Sequence, residues 1–136
     1  MTYELRAIGR VTSTLTDRAA APKQADEGAP DAWIVLDDDL AAAAADVRAG
    51  DELVVVTWLH QADRDTRVVH PRDDPDRPPT GVFSTRSPDR PNPLGLHTAH
   101  VLDVDGVRIH VDALEAVDGT PVVDLKPVLA RRHQER

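Results

Sequence analysis

The 136-residue chain predicts an all-β fold, β-rich with one short helix and closed into an antiparallel β-barrel. Three observations carry that expectation. Short apolar runs rich in Val, Ile and Leu recur between turn signals, giving about six or seven strands. Only the segment from Asp37 to Gly50 carries helix signals. Strands and helices do not alternate, which argues against a doubly wound sheet. The length fits one domain, residues 1–136, large enough to bury a core of its own.

Taken in order, Tyr3 to Val11 (YELRAIGRV) alternates and reads as the first strand. Thr12 to Pro30 shows no period and reads as a long loop, of the kind that is often functional. Trp33 to Leu36 is a short buried strand. In the next segment, Asp37 to Asp39 supply an N-cap and favourable charge, Arg48 sits in the last turn and Gly50 follows the end. This helix packs through Leu40, Ala44 and Val47. Glu52 to Trp58 (ELVVVTW) is a β-branched buried strand, and it delivers His60-Gln61 just beyond its end.

Thr66 to Val69 reads as a further short strand, and Pro71 to Pro79 as an exposed loop. Leu96 to Val104 and Val107 to Leu114 flank Asp105-Gly106, a strong hairpin signal. The expected register sets Val104 against Val107, Leu102 against Ile109 and His100 against Val111. It also sets Asp103 against Arg108, opposite charges across the strands. Val122 to Leu125 is the last strand.

Composition narrows the function. With 24 acids against 16 bases the net charge is −8, which speaks against a generic nucleic-acid-coating protein. The absence of cysteine removes disulfides, thiolate metal sites and cysteine nucleophiles, and fits a reducing cytoplasm. No apolar run reaches membrane-spanning length, and the N-terminal MTYELRAIGR lacks a signal-type apolar core. A soluble, cytoplasmic protein without a membrane partner is therefore expected.

The most unusual stretch is Gly81 to His97, GVFSTRSPDRPNPLGLH. Pro88, Pro91 and Pro93 fix their own φ and hold Ser87, Arg90 and Asn92 extended. Such a loop is either a rigid connection or a preformed cradle. The guanidinium forks of Arg86 and Arg90 on a stiff frame suit a carboxylate or phosphate. His60-Gln61, Arg86, Arg90, Asn92 and the turn Asp118-Gly119-Thr120 border one barrel end if adjacent strands pair in order. Other chemistries lack their signatures. No two of the seven glycines are spaced G-x-G, so a dinucleotide loop is not expected. His100 and His110 fall on opposite faces in the expected register and no H-E-x-x-H occurs, so no metal is expected. Ser84 and Ser87 lack a nucleophile elbow.

Four segments together resemble one known family. GVFSTRSPDRPNPLGL and VDGTPVVDLKP, with Pro22-Lys23-Gln24 and His60-Gln61 upstream, are similar to the TsaA-like (TrmO) proteins from Ile8-Gly9 to Pro127. The resemblance implies a β-barrel of that type and an S-adenosyl-L-methionine-dependent methyltransferase. Its substrate would be threonylcarbamoyladenosine beside the tRNA anticodon, methylated at N6. By the same resemblance, Pro22, Lys23, Gln24, His60, Gln61, Arg86, Leu96, Ala113, Leu114 and Glu115 line the cofactor site. Arg90, Asn92, Thr120 and Lys126 serve the substrate or the architecture, and the protein is a homodimer. Asp118, His60 and Glu115 stay open as the base, with Asp118 and His60 ahead. Val128 stands where the family commonly has a tyrosine, and Ser13-Thr14-Leu15 where it has Ser-Pro-Tyr or Ser-Pro-Phe. With these aromatics replaced, a small-molecule acceptor or a non-catalytic binding module are the alternatives.

Overall fold

The computed structural model describes residues 1–18, 28–71 and 74–129. Eight strands are present among them. These are β1 (Gly9–Thr12), β2 (Ala32–Leu36), β3 (Glu52–Trp58), β4 (Val68–Val69), β5 (Thr80–Gly81), β6 (Leu94–Asp105), β7 (Arg108–Val111) and β8 (Pro121–Pro127). Six of them close a barrel in the order β1-β2-β7-β6-β3-β8, and β4 and β5 form a separate two-stranded sheet. Every pairing is antiparallel. The all-β barrel expected from the sequence is the fold observed. Neighbours in the ring are not all neighbours in sequence, however, so adjacent strands do not simply pair in order.

Alternation builds the interior. In β3, Leu53, Val55 and Thr57 point inward, and in β6 Gly95, His97, Ala99 and Val101 do. Ile34, Ile109, Val111, Val11 and Val122 complete a core with essentially no exposure. One end of the barrel is covered by a short helical segment, a 3-10 turn at Asp38–Leu40 running into α1 (Ala41–Ala44). Ala44 is buried there and Val47 packs against the core. Asp37 occupies the N-cap, but its side chain makes no capping bond. The C-terminal carbonyl of Ala45 instead accepts from Arg48 Nη1 at 2.9 Å.

Two expectations need correction. The first strand begins at Gly9 rather than Tyr3: Ile8 N–H still donates to Val122 O at 2.8 Å, but among the described residues the backbone of residues 1–7 makes no ladder bond, although β8 runs on to Pro127. Tyr3 and Leu5 lie exposed upstream. The hairpin register is also shifted: Asp105 pairs with Arg108, Val104 with Ile109 and Asp103 with His110. The turn is therefore Gly106-Val107, with a positive φ at Gly106 alone, the pattern of a two-residue turn with glycine first. A bulge between Val101 and Asp103 leaves Leu102 outside and resets the phase of β6. His100 and His110 consequently both face outward, His110 stacking on Trp33 at 4.7 Å between ring centroids.

Candidate functional site

The barrel end opposite α1 collects the segments singled out by their motifs. β3 ends there and leads into His60-Gln61. The loop from Val82 to Pro93 enters β6 there, and residues 112–120 pass from β7 to β8. The strand order differs from the expectation, yet the segments still meet, because each joins strands at the same rim.

Hydrogen bonds weld this rim together. Arg90 is its organiser: Nε donates to Ser87 O at 2.8 Å, and Nη2 donates to Val82 O at 2.5 Å and Thr85 O at 2.6 Å. Three carbonyls of one loop thus converge on one fork, which holds the proline-rich segment closed. Asp89 Oδ1 accepts from Arg18 at 2.7 Å and from the Asp63 N–H at 2.8 Å. Arg18 also donates to Gln61 O at 2.9 Å. Arg64 donates to Pro91 O at 2.7 Å and to Asn92 Oδ1 at 3.0 Å, while its guanidinium sits 5.0 Å over the Trp58 ring. The turn bearing His60-Gln61 is therefore docked on the cradle. Arg90 and Asn92 both have side-chain atoms engaged in hydrogen bonds within this rim.

Arg86 is different from Arg90. It is exposed, and among the described residues its guanidinium makes no hydrogen bond or ion pair. It is a free planar fork at the mouth of a stiff loop, fitted to a carboxylate. Leu96 lies on the outer face of β6, 54% exposed, with Leu94 beside it. Ala113, Leu114 and Glu115 follow β7. Leu114 is fully buried and its N–H donates to Pro30 O at 2.9 Å, while Ala113 takes a φ of 29° that L-residues adopt only with strain. Asp118 is exposed, and its Oδ1 accepts the Ser13 N–H at 3.0 Å. Thr120 is buried and donates to Val117 O at 2.7 Å. Lys126 lies toward the far end of β8, near Asp124 at 3.2 Å, away from this rim. Pro22, Lys23 and Gln24 lie outside the described residues.

Two residues here have no counterpart among the sequence expectations. His97 is buried, with Nε2 2.7 Å from Thr57 Oγ1 and Nδ1 2.6 Å from Glu115 Oε1. The signal was available: His97 falls in the inward phase of β6, where a polar side chain needs a partner. Gly95 explains part of the loop motif, since a Cβ there would overlap Thr57 Oγ1 and His97 Nε2. Among the described residues, no group of three or more His, Cys, Asp or Glu could hold a metal ion. No helix among them is long and apolar enough to cross a membrane.

The family model of the tRNA-methyltransferase O N-terminal domain matches residues 10–133, nearly the whole chain. The chain belongs to this family. A relative from Archaeoglobus fulgidus, named "Probable S-adenosyl-L-methionine-binding protein", is 37% identical over 127 residues, 93% of this chain and 34% of its own length. A mouse relative named "tRNA (adenine(37)-N6)-methyltransferase" is 51% identical over 51 residues, 38% of this chain and 12% of its own. The crystal structure of TrmO from Pseudomonas aeruginosa superposes with a TM-score of 0.75 at 26% identity, over 95% of this chain and 57% of that one. The tRNA-methyltransferase O N-terminal barrel is therefore the fold. The chain spans only about a third of that Archaeoglobus relative and little over half of that TrmO chain.

Proposed function

We propose that the chain binds S-adenosyl-L-methionine at the cradle rim and acts as a methyltransferase on threonylcarbamoyladenosine of tRNA, at N6. The observation that carries this reading is the convergence of both motif segments on one rim. Arg86 comes from one, Asp118-Gly119-Thr120 comes from the other, and Glu115 lies two residues before that second segment. The residues present fit the cofactor. Arg86 offers an unengaged guanidinium for the methionine carboxylate, and Glu115 offers an acceptor for donors elsewhere on the molecule. When bound, the cofactor supplies a methyl group already activated by its sulfonium.

The chain's own contribution is then positional. Arg90 fixes the loop that carries Arg86, so the cofactor meets a preformed wall and little ordering remains at binding. A carbamoyl-type nitrogen is a poor nucleophile and needs its proton removed. Asp118 has one oxygen committed to Ser13 and the other free of that bond, and His60 stands exposed on the docked turn. These two remain the candidates for that proton. Leu94 and Leu96, with Val56 and Trp58 beside them on β3, form an apolar outer strip next to the rim. A second copy of the chain covering this strip would give a homodimer with its cofactor site near the interface.

A second reading is favoured by charge. At −8, with Val128 in place of an aromatic, the surface suits a small-molecule acceptor better than a polyanion. Nucleoside mass spectrometry of tRNA from a deletion strain separates the two. Loss of the N6-methyl mark is expected, and an unchanged mark in a strain shown to carry it sinks the tRNA reading. For the cofactor, Arg86→Ala should weaken S-adenosylhomocysteine binding at least about tenfold in calorimetry with the melting temperature unmoved. Retained affinity removes the carboxylate from Arg86.

A further inference from the structure

On the outer face of the barrel, beside the rim, lies a groove of about 480 Å³. Its size falls in the range of small-ligand sites, about 300–1,000 Å³. Tyr3 and Leu5 line it from the N-terminal segment, which takes no part in the pairing of β1 with β8. Trp58, Arg64 and Asn92 line it from the rim, and Pro121 from β8.

Rings and cations gather here. The chain has four aromatic residues, none of them in the buried core, and two of them line this groove. Tyr3 is 83% exposed, so the fold leaves its ring uncovered. Trp58 is half-buried under the Arg64 guanidinium, 5.0 Å from its ring centroid. Arg64 spends Nε on Pro91 O and Nη2 on Asn92 Oδ1. Its Nη1 and the Asn92 amide nitrogen keep no partner among the described residues. Arg6 lies between the lining residues Leu5 and Ala7, and Arg10 opposes Pro121 across the outer face. Both are exposed, and neither makes a hydrogen bond or ion pair among the described residues. Glu4 is the one acid in the segment 3–7. A chain of net charge −8 thus sets three guanidiniums around one aromatic groove.

That combination fits single-stranded RNA, whose splayed bases stack on rings and guanidinium planes while arginines take the phosphates. A second copy of the chain fits less well, since a two-fold contact here brings the same guanidiniums together. Arg64 and Asn92 belong both to the groove and to the hydrogen-bonded rim, so the two are continuous. We propose that this groove holds a second nucleobase of the acceptor RNA, next to the adenosine methylated at the rim. The proposal rests on the tRNA reading of that rim. Tyr3 and Trp58 supply the stacking faces, Arg64 Nη1 and the Asn92 amide meet acceptors on the base, and Arg6 and Arg10 take flanking phosphates. Leu94 and Leu96 lie on the opposite side of Trp58, on β6, and take no part.

The test is fluorescence anisotropy of a labelled anticodon stem-loop bearing threonylcarbamoyladenosine, titrated with the whole chain, with S-adenosylhomocysteine calorimetry beside it. Tyr3→Ala should weaken the RNA about tenfold and leave S-adenosylhomocysteine binding unchanged. Tyr3→Phe keeps the ring and should stay within about threefold of the parent. Two further stem-loops carry an abasic nucleotide on the 5′ or the 3′ side of the modified adenosine. One of them should lose about tenfold on the parent and little more on Tyr3→Ala. That shared loss is not expected of a segment that only steadies the fold. If Tyr3→Ala binds the RNA like the parent, or if the losses multiply for both abasic RNAs, the inference is overturned. A shift of Tyr3→Ala toward monomer in sedimentation, with RNA affinity kept, gives the groove to a second copy and overturns it too. If the parent binds S-adenosylhomocysteine but not the stem-loop, the tRNA reading falls, and this inference with it.

Discussion

The two ends of this barrel are closed by opposite means. At one, Leu36, Ala44, Val47, Val104 and Val107 pack together, and the chain flanking the helical segment is fastened by backbone bonds, Asp37 N–H to Ile8 O at 2.9 Å and Gly50 N–H to Val101 O at 2.8 Å. At the other, Thr57, His97 and Thr120 are buried polar groups, and a loop is drawn shut by one arginine. Apolar closure draws on area and tolerates small changes of shape. Polar closure depends on counted hydrogen bonds, and each missing partner leaves a desolvated group behind. A barrel selected for stability alone would have two ends of the first kind. The second kind is found at the end where we propose that the cofactor binds.

The largest effect expected from breaking this contrast is at Arg90. Arg90→Ala removes three donors at once from Ser87, Thr85 and Val82 carbonyls, and should cost about 3 kcal/mol in urea unfolding. S-adenosylhomocysteine binding should fall with it, because Arg86 rides on the same loop. A stable variant with intact binding would show that the prolines alone hold the cradle.

The glycines sharpen the comparison at smaller scale. Gly95→Ala forces a methyl into the Thr57–His97 contact and should cost about 2 kcal/mol, with cofactor affinity lost as well. Gly50→Ala, at the helical end, meets no atom but sits at φ +95°, so strain alone should cost about 1 kcal/mol. Its effect on affinity should be nil. Equal consequences for binding at the two positions, measured in one calorimetric series, would erase the distinction between the ends.

Much of this was legible in the sequence because local signals and fold agreed. ELVVVTW is the strand Glu52–Trp58 to the residue, and the proline-rich loop is closed on Arg90 through three of its own carbonyls. The division between Arg86 and Arg90 was not legible, since spacing cannot say which fork turns back on its own carbonyls. The Thr57–His97–Glu115 line was hidden for a related reason. Its members come from three elements, and their meeting depends on a ring order that no local pattern encodes. The N-terminal alternation misled because alternation signals a half-buried strand face, whereas Tyr3 and Leu5 are exposed and lie outside the pairing of β1 with β8.

The smallest effect concerns the hairpin register, where a one-residue slip moves every side chain to the other face. Asp-Gly implied Asp103 across from Arg108, a cross-strand ion pair. In the structure Asp103 opposes His110, its Oδ1 accepts the Val104 N–H at 2.9 Å, and the Arg108 guanidinium lies 4.8 Å over Trp33. A double-mutant cycle on Asp103→Ala and Arg108→Ala should therefore show coupling near zero, where a direct pair gives about 0.5 kcal/mol. A cycle on Arg108 and Trp33 should show the stronger coupling, about 0.5–1 kcal/mol, from the cation–π contact. The reverse ranking would restore the register implied by Asp105-Gly106, and would remove the bulge at Leu102 that lets β6 point Ala99 and Val104 into the same core.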